Sequence, residues 1–235
     1  EVSKHGFPSI RGQSPAFIID NTAPVTTATV DPVELNGENG WYKTPPTVTL
    51  NCSDTSSGCN KIFYKLKGSD SFTEAPGPSV TVTALEGDNT ISYYSTDNAL
   101  DKDNTNNQEV TKTLNIKLDT QVPTISSYTL NGTANNAFFN PATSHVIVNL
   151  IASEAVHWTS VEIYKSDNSS VHKLFHPSVD GISASVEWDG SLSSGVLTDG
   201  VYNIRVHIRD IAGNVNAGDW LELPPYTITV DTFSQ

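Results

Sequence analysis

Apolar and polar residues alternate along most of this chain with a period of two, the pattern of strands that bury one face and wet the other. Val48, Leu50 and Cys52 point one way, with Thr47, Thr49 and Asn51 opposite. Ile62, Tyr64 and Leu66 form a second run. Val80-Thr81-Val82-Thr83 forms a third, then Ile91, Tyr93 and Ser95, then Leu114, Ile116 and Leu118. The later half repeats the habit in Val146, Val148, Leu150 and Ala152, in Val161 and Ile163, and in Ile182, Ala184, Val186 and Trp188. The clearest strand places Tyr202, Ile204, Val206 and Ile208 inward and Asn203, Arg205, His207 and Arg209 outward. No stretch carries a helical period, and 13 Pro and 15 Gly supply turns between the runs. The pattern predicts an all-β sandwich architecture.

A phrase recurs along the chain. Phe17-Ile18-Ile19-Asp20-Asn21-Thr22-Ala23-Pro24 returns as Ile116-Lys117-Leu118-Asp119-Thr120-Gln121-Val122-Pro123, and again as Ile228-Thr229-Val230-Asp231-Thr232. Each copy is a final strand running into Asp and Thr; in the first two, Pro bars further ladder pairing and opens the next unit. The copies stand about 100 residues apart, the size of an immunoglobulin-like domain. Two tandem immunoglobulin-like (fibronectin type III-like) sandwiches are therefore expected, at 23–120 and 121–235. Residues 1–22 are read as the end of a preceding module, and the chain as a mature or excised fragment of something longer.

Composition narrows the function classes. The net charge of −13 argues against nucleic acid as a partner, because phosphate binding needs a basic footprint. No run has the length of a membrane span, so no membrane insertion is expected. The two cysteines sit in Asn51-Cys52-Ser53-Asp54-Thr55-Ser56-Ser57-Gly58-Cys59, where Ser, Asp and Gly favour a tight turn. A Cys52–Cys59 disulfide is preferred over zinc, since no second Cys pair or nearby His completes a site. A disulfide implies an oxidising compartment, hence an extracellular or cell-surface location.

Several stretches resemble known families. Gly40-Trp41-Tyr42, Val48-Thr49-Leu50-Asn51-Cys52-Ser53-Asp54, Ser57-Gly58-Cys59, Ile62-Phe63-Tyr64 and Glu86-Gly87-Asp88-Asn89-Thr90-Ile91 resemble the Ig-like repeats of bacterial and archaeal cell-surface and secreted proteins. Where such repeats read Asp-x-Ala-Gly-Asn, this chain has Asp97-Asn98-Ala99-Leu100-Asp101 and a polar stretch to Gln108, which predicts a longer loop. Glu154-Ala155-Val156, Val161-Glu162-Ile163-Tyr164, Trp188-Asp189-Gly190, Gly200-Val201-Tyr202 and Asp210-Ile211-Ala212-Gly213-Asn214 resemble the Ig-like domain of flagellar hook-capping proteins. The resemblance implies a non-catalytic structural or adhesive segment: a spacer, adhesin stalk or surface-layer component. Its partners would be neighbouring domains of the same chain, a protein or glycan surface ligand, or further copies of itself. The alternative is an accessory, carbohydrate-binding or spacer region of a secreted polysaccharide hydrolase.

The candidate chemistry is sparse. Six His occur, but none stands in a nucleophile or zinc motif. His172 and His176 have the i, i+4 spacing of a helical metal pair, yet they flank Leu174 and Phe175 in a strand-like run. No nucleophile elbow, phosphate loop or dinucleotide fingerprint appears, and an enzyme is not expected. Calcium is the one cofactor the sequence points to, because Asp101-Lys102-Asp103-Asn104-Thr105-Asn106-Asn107-Gln108-Glu109 is rich in hard oxygen ligands. As an EF-hand loop it fails, with Asn106 at the sixth position and Lys112 at the twelfth. The junction is a second calcium candidate, where Asp119 could meet Asp54, Asp97 or Glu154. Asp97, Asp101, Asp103 and Asp119 are the expected ligands. For sugar stacking, Trp158 and Trp220 are the expected exposed rings, since Trp188 continues an inward alternation. Asn51, Asn131 and Asn168 each open a match to the N-glycosylation pattern.

Overall fold

The computed structural model describes residues 19–100, 105–215 and 220–233. Every regular element in it is a strand. The first nine are β1 (Val25–Asp31), β2 (Trp41–Tyr42), β3 (Thr47–Ser53), β4 (Cys59–Lys65), β5 (Thr73–Pro76), β6 (Ser79–Thr83), β7 (Gly87–Leu100), β8 (Asn106–Gln108) and β9 (Lys112–Leu118). They form a three-stranded layer in the order β1-β3-β6 and a second layer in the order β2-β9-β7-β4-β5, with β8 folded back on β7. The short β2 runs parallel to the last strand, Trp41 beside Lys117, while β4 pairs antiparallel with β5 and β7.

The remaining strands are β10 (Ile125–Leu130), β11 (Ala137–Phe139), β12 (Val146–Lys165), β13 (Asn168–Phe175), β14 (Val179–Trp188), β15 (Gly200–Asp210), β16 (Leu221–Glu222) and β17 (Ile228–Val230). They repeat the same plan. Val146–Ile151 of β12 pairs β10 and β14, as β3 pairs β1 and β6. From Val156 onward β12 pairs β15, and from Val161 also β13, as β4 pairs β7 and β5. The short β11 again runs parallel to the last strand, β17. One layer of three and one layer closed by a parallel first-strand segment is the plan of an immunoglobulin-like sandwich.

By proximity the residues gather into two compact units. One holds the described residues up to Val30 with Thr47–Val82 and Thr90–Leu114. The other holds Asp31–Pro46, Thr83–Asn89 and the chain from Asn115 on. In the first unit the buried side chains come from both layers: Val48, Leu50 and Val82 from one, Ile62, Ile91 and Tyr93 from the other. Cys52 and Cys59 form the expected disulfide with a Cα–Cα distance of 6.1 Å. The turn between them is organised by Asp54, whose Oδ1 accepts the N–H groups of Ser56, Ser57 and Gly58. Gly58 adopts φ +79 there, a conformation that a Cβ would strain.

In the second unit one cluster collects the inward positions of β10, β11, β12, β14, β15 and β17. Its centre is Trp188, fully buried between Phe139 at 5.1 Å and Tyr202 at 5.3 Å, with its indole N–H given to Ser191 O. The Trp188-Asp189-Gly190 stretch is thereby explained: Asp189 accepts the Ser191 N–H, and Gly190 takes φ +88 where a Cβ would lie 2.6 Å from the Pro141 ring.

β12 departs from the sequence expectation of separate short strands. No Gly or Pro interrupts it, so the chain passes from one layer to the other through irregularities in pairing at Ile151–Val156 and Trp158–Ser160. The second irregularity makes Ser160 and Val161 both buried, which swaps the parity of inward positions from even to odd numbers. Asp97-Asn98-Ala99-Leu100 likewise continues β7 rather than opening a loop, and β8 returns against it.

Candidate functional site

Two groups of carboxylates converge among the described residues, one in each unit. Asp20, Asp54 and Asp97 form the first; Asp119, Glu154 and Asp210 form the second. In each triad the three residues offer oxygens within 4.8 Å of one another. The two are built alike. Asp20 and Asp119 belong to the recurring phrase and precede β1 and β10. Asp54 follows β3, and Glu154 lies where β12 changes layer. Asp97 and Asp210 lie in the C-terminal parts of β7 and β15 and are buried.

The hydrogen bonding repeats too. Asn107 donates its N–H to Asp97 Oδ1 at 3.0 Å and its amide Nδ2 to Asp97 Oδ2 at 2.8 Å and to the Asp20 carbonyl at 2.9 Å. Asn214 does the same to Asp210, at 2.8 and 2.9 Å, and to the Asp119 carbonyl at 3.0 Å. Asp20, Asp119 and Asp231 each accept the N–H two residues on, from Thr22, Gln121 and Phe233. This Asx turn uses one carboxylate oxygen and leaves the other to turn elsewhere. The phrase's Thr is held as well. Thr120 donates its N–H and hydroxyl to Glu86, just before β7, and Thr232 donates both to Asp199, just before β15.

The protonation of the second triad reflects crowding. Burial pushes Asp119 up and, against the Gln121 N–H, the charges of Asp210 and Glu86 add to the rise. Burial also raises Glu154, followed by the charges of Asp119 and Asp210. Asp20 is held below the usual carboxylate value by the N–H of Thr22 and then by Ser57. Three converging carboxylates are hard anionic ligands that suit calcium, which takes six to eight oxygens at about 2.3–2.6 Å in flexible geometry. A divalent cation removes the repulsion that raises Asp119 and Glu154.

The sign of the pH dependence follows. A carboxyl raised by folding binds its proton more tightly in the folded state, so its contribution to stability falls as pH rises from the unfolded to the folded value. In metal-free protein the second triad therefore weakens the fold towards neutral pH. In the acid range, where these carboxyls carry protons, a cation must displace them, so calcium affinity is expected to fall as pH drops through the raised values, with proton release on binding there. Calorimetry in two buffers of different ionisation heat, repeated as the pH is lowered, checks this; heats that stay equal in both buffers down to pH values where affinity falls would contradict it.

The expected ligands are distributed as follows. Asp119 meets Glu154 and Asp210, and Asp54 and Asp97 meet Asp20 instead. Asp101 and Asp103 lie outside the described residues. Asp20 and Asp210 were not among the expected ligands, although the phrase around Asp20 marked it as the equivalent of Asp119. His172 and His176 do not gather with other ligands within reach of a metal among the described residues.

Trp158 is a correction. It is fully buried in β12 and gives its indole N–H to Gly181 O at 3.0 Å, so it offers no surface for a sugar. Trp220 is partly exposed, and its ring lies 4.7 Å from the Arg205 guanidinium, which stacks equally on Tyr164. Arg205 is held there by Glu162, a buried carboxylate, and Tyr164 donates to Glu222 at 2.7 Å. The patch is thus internally paired.

No protein-family model and no curated protein sequence matches this chain. Among solved structures, it is similar to the fibronectin(III)-like modules of Clostridium thermocellum CbhA at 13% identity, covering 87% of this chain and 94% of that one, with a TM-score of 0.28. It is similar to the D00-D0 domain of intimin at 10% identity, covering 86% and 100%, with a TM-score of 0.33. A 1.5-MDa bacterial ice-binding adhesin matches at 15% identity, covering 91% and 67%, with a TM-score of 0.31. Superpositions this loose carry no functional information for this chain.

Proposed function

We propose that this chain is a non-catalytic structural and adhesive segment of a modular extracellular surface protein, and that each carboxylate triad takes one calcium ion. The observation that carries the reading is the duplication of the triad. The same phrase Asp, a second acid (Asp54 in one unit, Glu154 in the other), a buried Asp late in a strand and the same bridging Asn recur in two units whose sequences otherwise differ. A surface loop acquires acidic residues by chance; it has no reason to acquire the same carboxylate–amide bridge twice.

The role follows from where the triads sit. A calcium ion at Asp119 ties the segment entering β10 to the ends of the strands it must pack on, and Asp20 does so ahead of β1. Calcium-free chain would leave the entry to β10 repelled by the charges of its own triad. The Cys52–Cys59 disulfide supports an oxidising compartment, and the repeated strand plan supports two modules over 23–120 and 121–235. Spacer, stalk and surface-layer roles all lie within this reading, as does the likeness of the second module to the hook-capping Ig-like domain. The accessory polysaccharide-binding role ranks below it. An open aromatic platform would favour that role, whereas Trp158 is buried and Trp220 lies against Arg205.

Surface labelling tests the location. Antibodies raised against the folded chain should stain intact cells of its source, and external protease should release disulfide-bonded fragments. Staining only after the cells are broken open would sink the proposal.

A further inference from the structure

We propose that Asn168 is an acceptor for an N-linked glycan, and that the fold selects it over the chain's other two sequence matches. The pattern Asn-x-Ser/Thr marks acceptors but says nothing of geometry. The structure separates the three matches.

Asn168 opens β13 at the tip of its hairpin with β12, directly after the exposed turn Ser166-Asp167. It is exposed, and it pairs across the hairpin with Lys165. Its side-chain oxygen accepts the N–H of Ser170 at 3.1 Å and the hydroxyl of Ser170 at 2.7 Å. A main-chain N–H only donates, so the atom facing Ser170 is Oδ1, and the amide orientation is fixed by chemistry. Nδ2, the other substituent of the same planar amide, is the atom that would take the glycan. The hydroxyl that the pattern requires two residues on therefore already engages the acceptor amide.

The other two matches lack this arrangement. Asn131 uses its oxygen to accept the N–H of Ile147 at 2.8 Å, while the Thr133 hydroxyl donates to the Leu130 carbonyl instead. Asn51 lies inside β3, its oxygen accepts from Ser79, and the next residue is tied into the disulfide. Neither brings the hydroxyl of its own motif to its own amide.

The co-substrate is a saccharide activated as a diphosphate, presented by a transferase. A bond forms between Nδ2 and the anomeric carbon, and the bond from that carbon to the phosphate oxygen breaks. The diphosphate leaves with the electron pair, and one Nδ2 proton passes to a base of the transferase. No oxidant or reductant is needed. Modification at a hairpin tip displaces no packed side chain, so Asn168→Gln should leave the melting temperature unchanged.

The inference rests on the extracellular reading, because glycan transfer accompanies export. The test is peptide mass spectrometry of the protein purified from its own cells, before and after peptide-N-glycosidase, with the state of Cys52 and Cys59 read in the same digest. The expected result is glycan on the Asn168 peptide, released with conversion of Asn168 to aspartate, while the Asn131 and Asn51 peptides are bare. Asn168→Gln and Ser170→Ala should abolish it, and Ser170→Thr should keep it. Unmodified Asn168 in a chain with oxidised cysteines overturns the glycan assignment alone. Unmodified Asn168 with reduced cysteines overturns it together with the extracellular reading. Glycan on Asn131 instead overturns the geometric argument.

Discussion

Trp188→Ala is expected to cost about 3–5 kcal/mol, the loss typical of truncating a large buried aromatic residue. The side chain has no exposed surface and fills the space between Phe139 and Tyr202. Both neighbours are anchored elsewhere. Phe139 lies on β11, paired with β17, and the Tyr202 hydroxyl donates to the Thr198 carbonyl at 3.1 Å. The cavity therefore does not collapse cheaply. The Ser191 carbonyl would also lose its donor. The loss corresponds to roughly 10–20 °C in melting temperature for a unit of this size. Thermal unfolding followed by tryptophan fluorescence and circular dichroism measures it. Trp188→Phe should recover more than half, since most of the apolar volume returns. A variant that melts within a few degrees of the parent would show that Trp188 is not central to the core.

Glu109→Ala is expected to cost about as much, for a different reason. Glu109 is a buried carboxylate that accepts the Thr26 N–H at 3.1 Å through both oxygens, the Ser95 hydroxyl at 3.0 Å and the Lys112 ammonium at 2.7 Å. Lys112 in turn donates to the Thr26 carbonyl. One side chain thus pins β1 to β7 and to the start of β9. Removing it strands the buried Thr26 N–H and leaves the partly exposed Lys112 ammonium with the Thr26 carbonyl; breaking one half of a fully buried pair typically costs about 3–5 kcal/mol, and the exposure of Lys112 sets the loss at the lower end of that range. Burial pushes Glu109 up, yet Lys112, Thr26 and Ser95 together outweigh it and hold the carboxyl below its ordinary value. A depressed carboxyl stabilises the fold above its unfolded value, and the contribution is lost as pH falls through the folded one. Urea midpoints of parent and Glu109→Ala should accordingly stand far apart at neutral pH and converge in acid. A gap that does not narrow with acidification would contradict the ionised role.

The strands were legible because most of them bury one face against a wet one, so Tyr202 to Ile208 could be placed from alternation alone. Trp158 was not, because the flanking His157, Thr159 and Ser160 look like a polar turn. The pairing irregularity beside it, which lets Ser160 and Val161 both face inward, leaves no mark in composition. The triads were half legible. Asp119 stood out through its phrase, whereas Asp210 acts through a partner about 90 residues away in sequence, and only the folded sandwich brings strand ends together. The signal that would have found it is the repeat itself. If Asp20 and Asp119 are equivalent, the acids near Asp54 and Asp97 have counterparts one repeat later, at Glu154 and Asp210. Asn107 and Asn214 were hidden because one follows its Asp by ten residues and the other by four.

Calcium titration of the metal-free chain by calorimetry, paired with melting curves, tests the account most directly. The predicted result is two calcium ions per chain, one for each triad, and a melting temperature that rises with calcium; a cation at a hundred times its dissociation constant adds about 2.7 kcal/mol per site. Asp97→Ala and Asp210→Ala should each remove one ion and the double variant both. No heat and an unmoved melting temperature at saturating calcium would contradict the account.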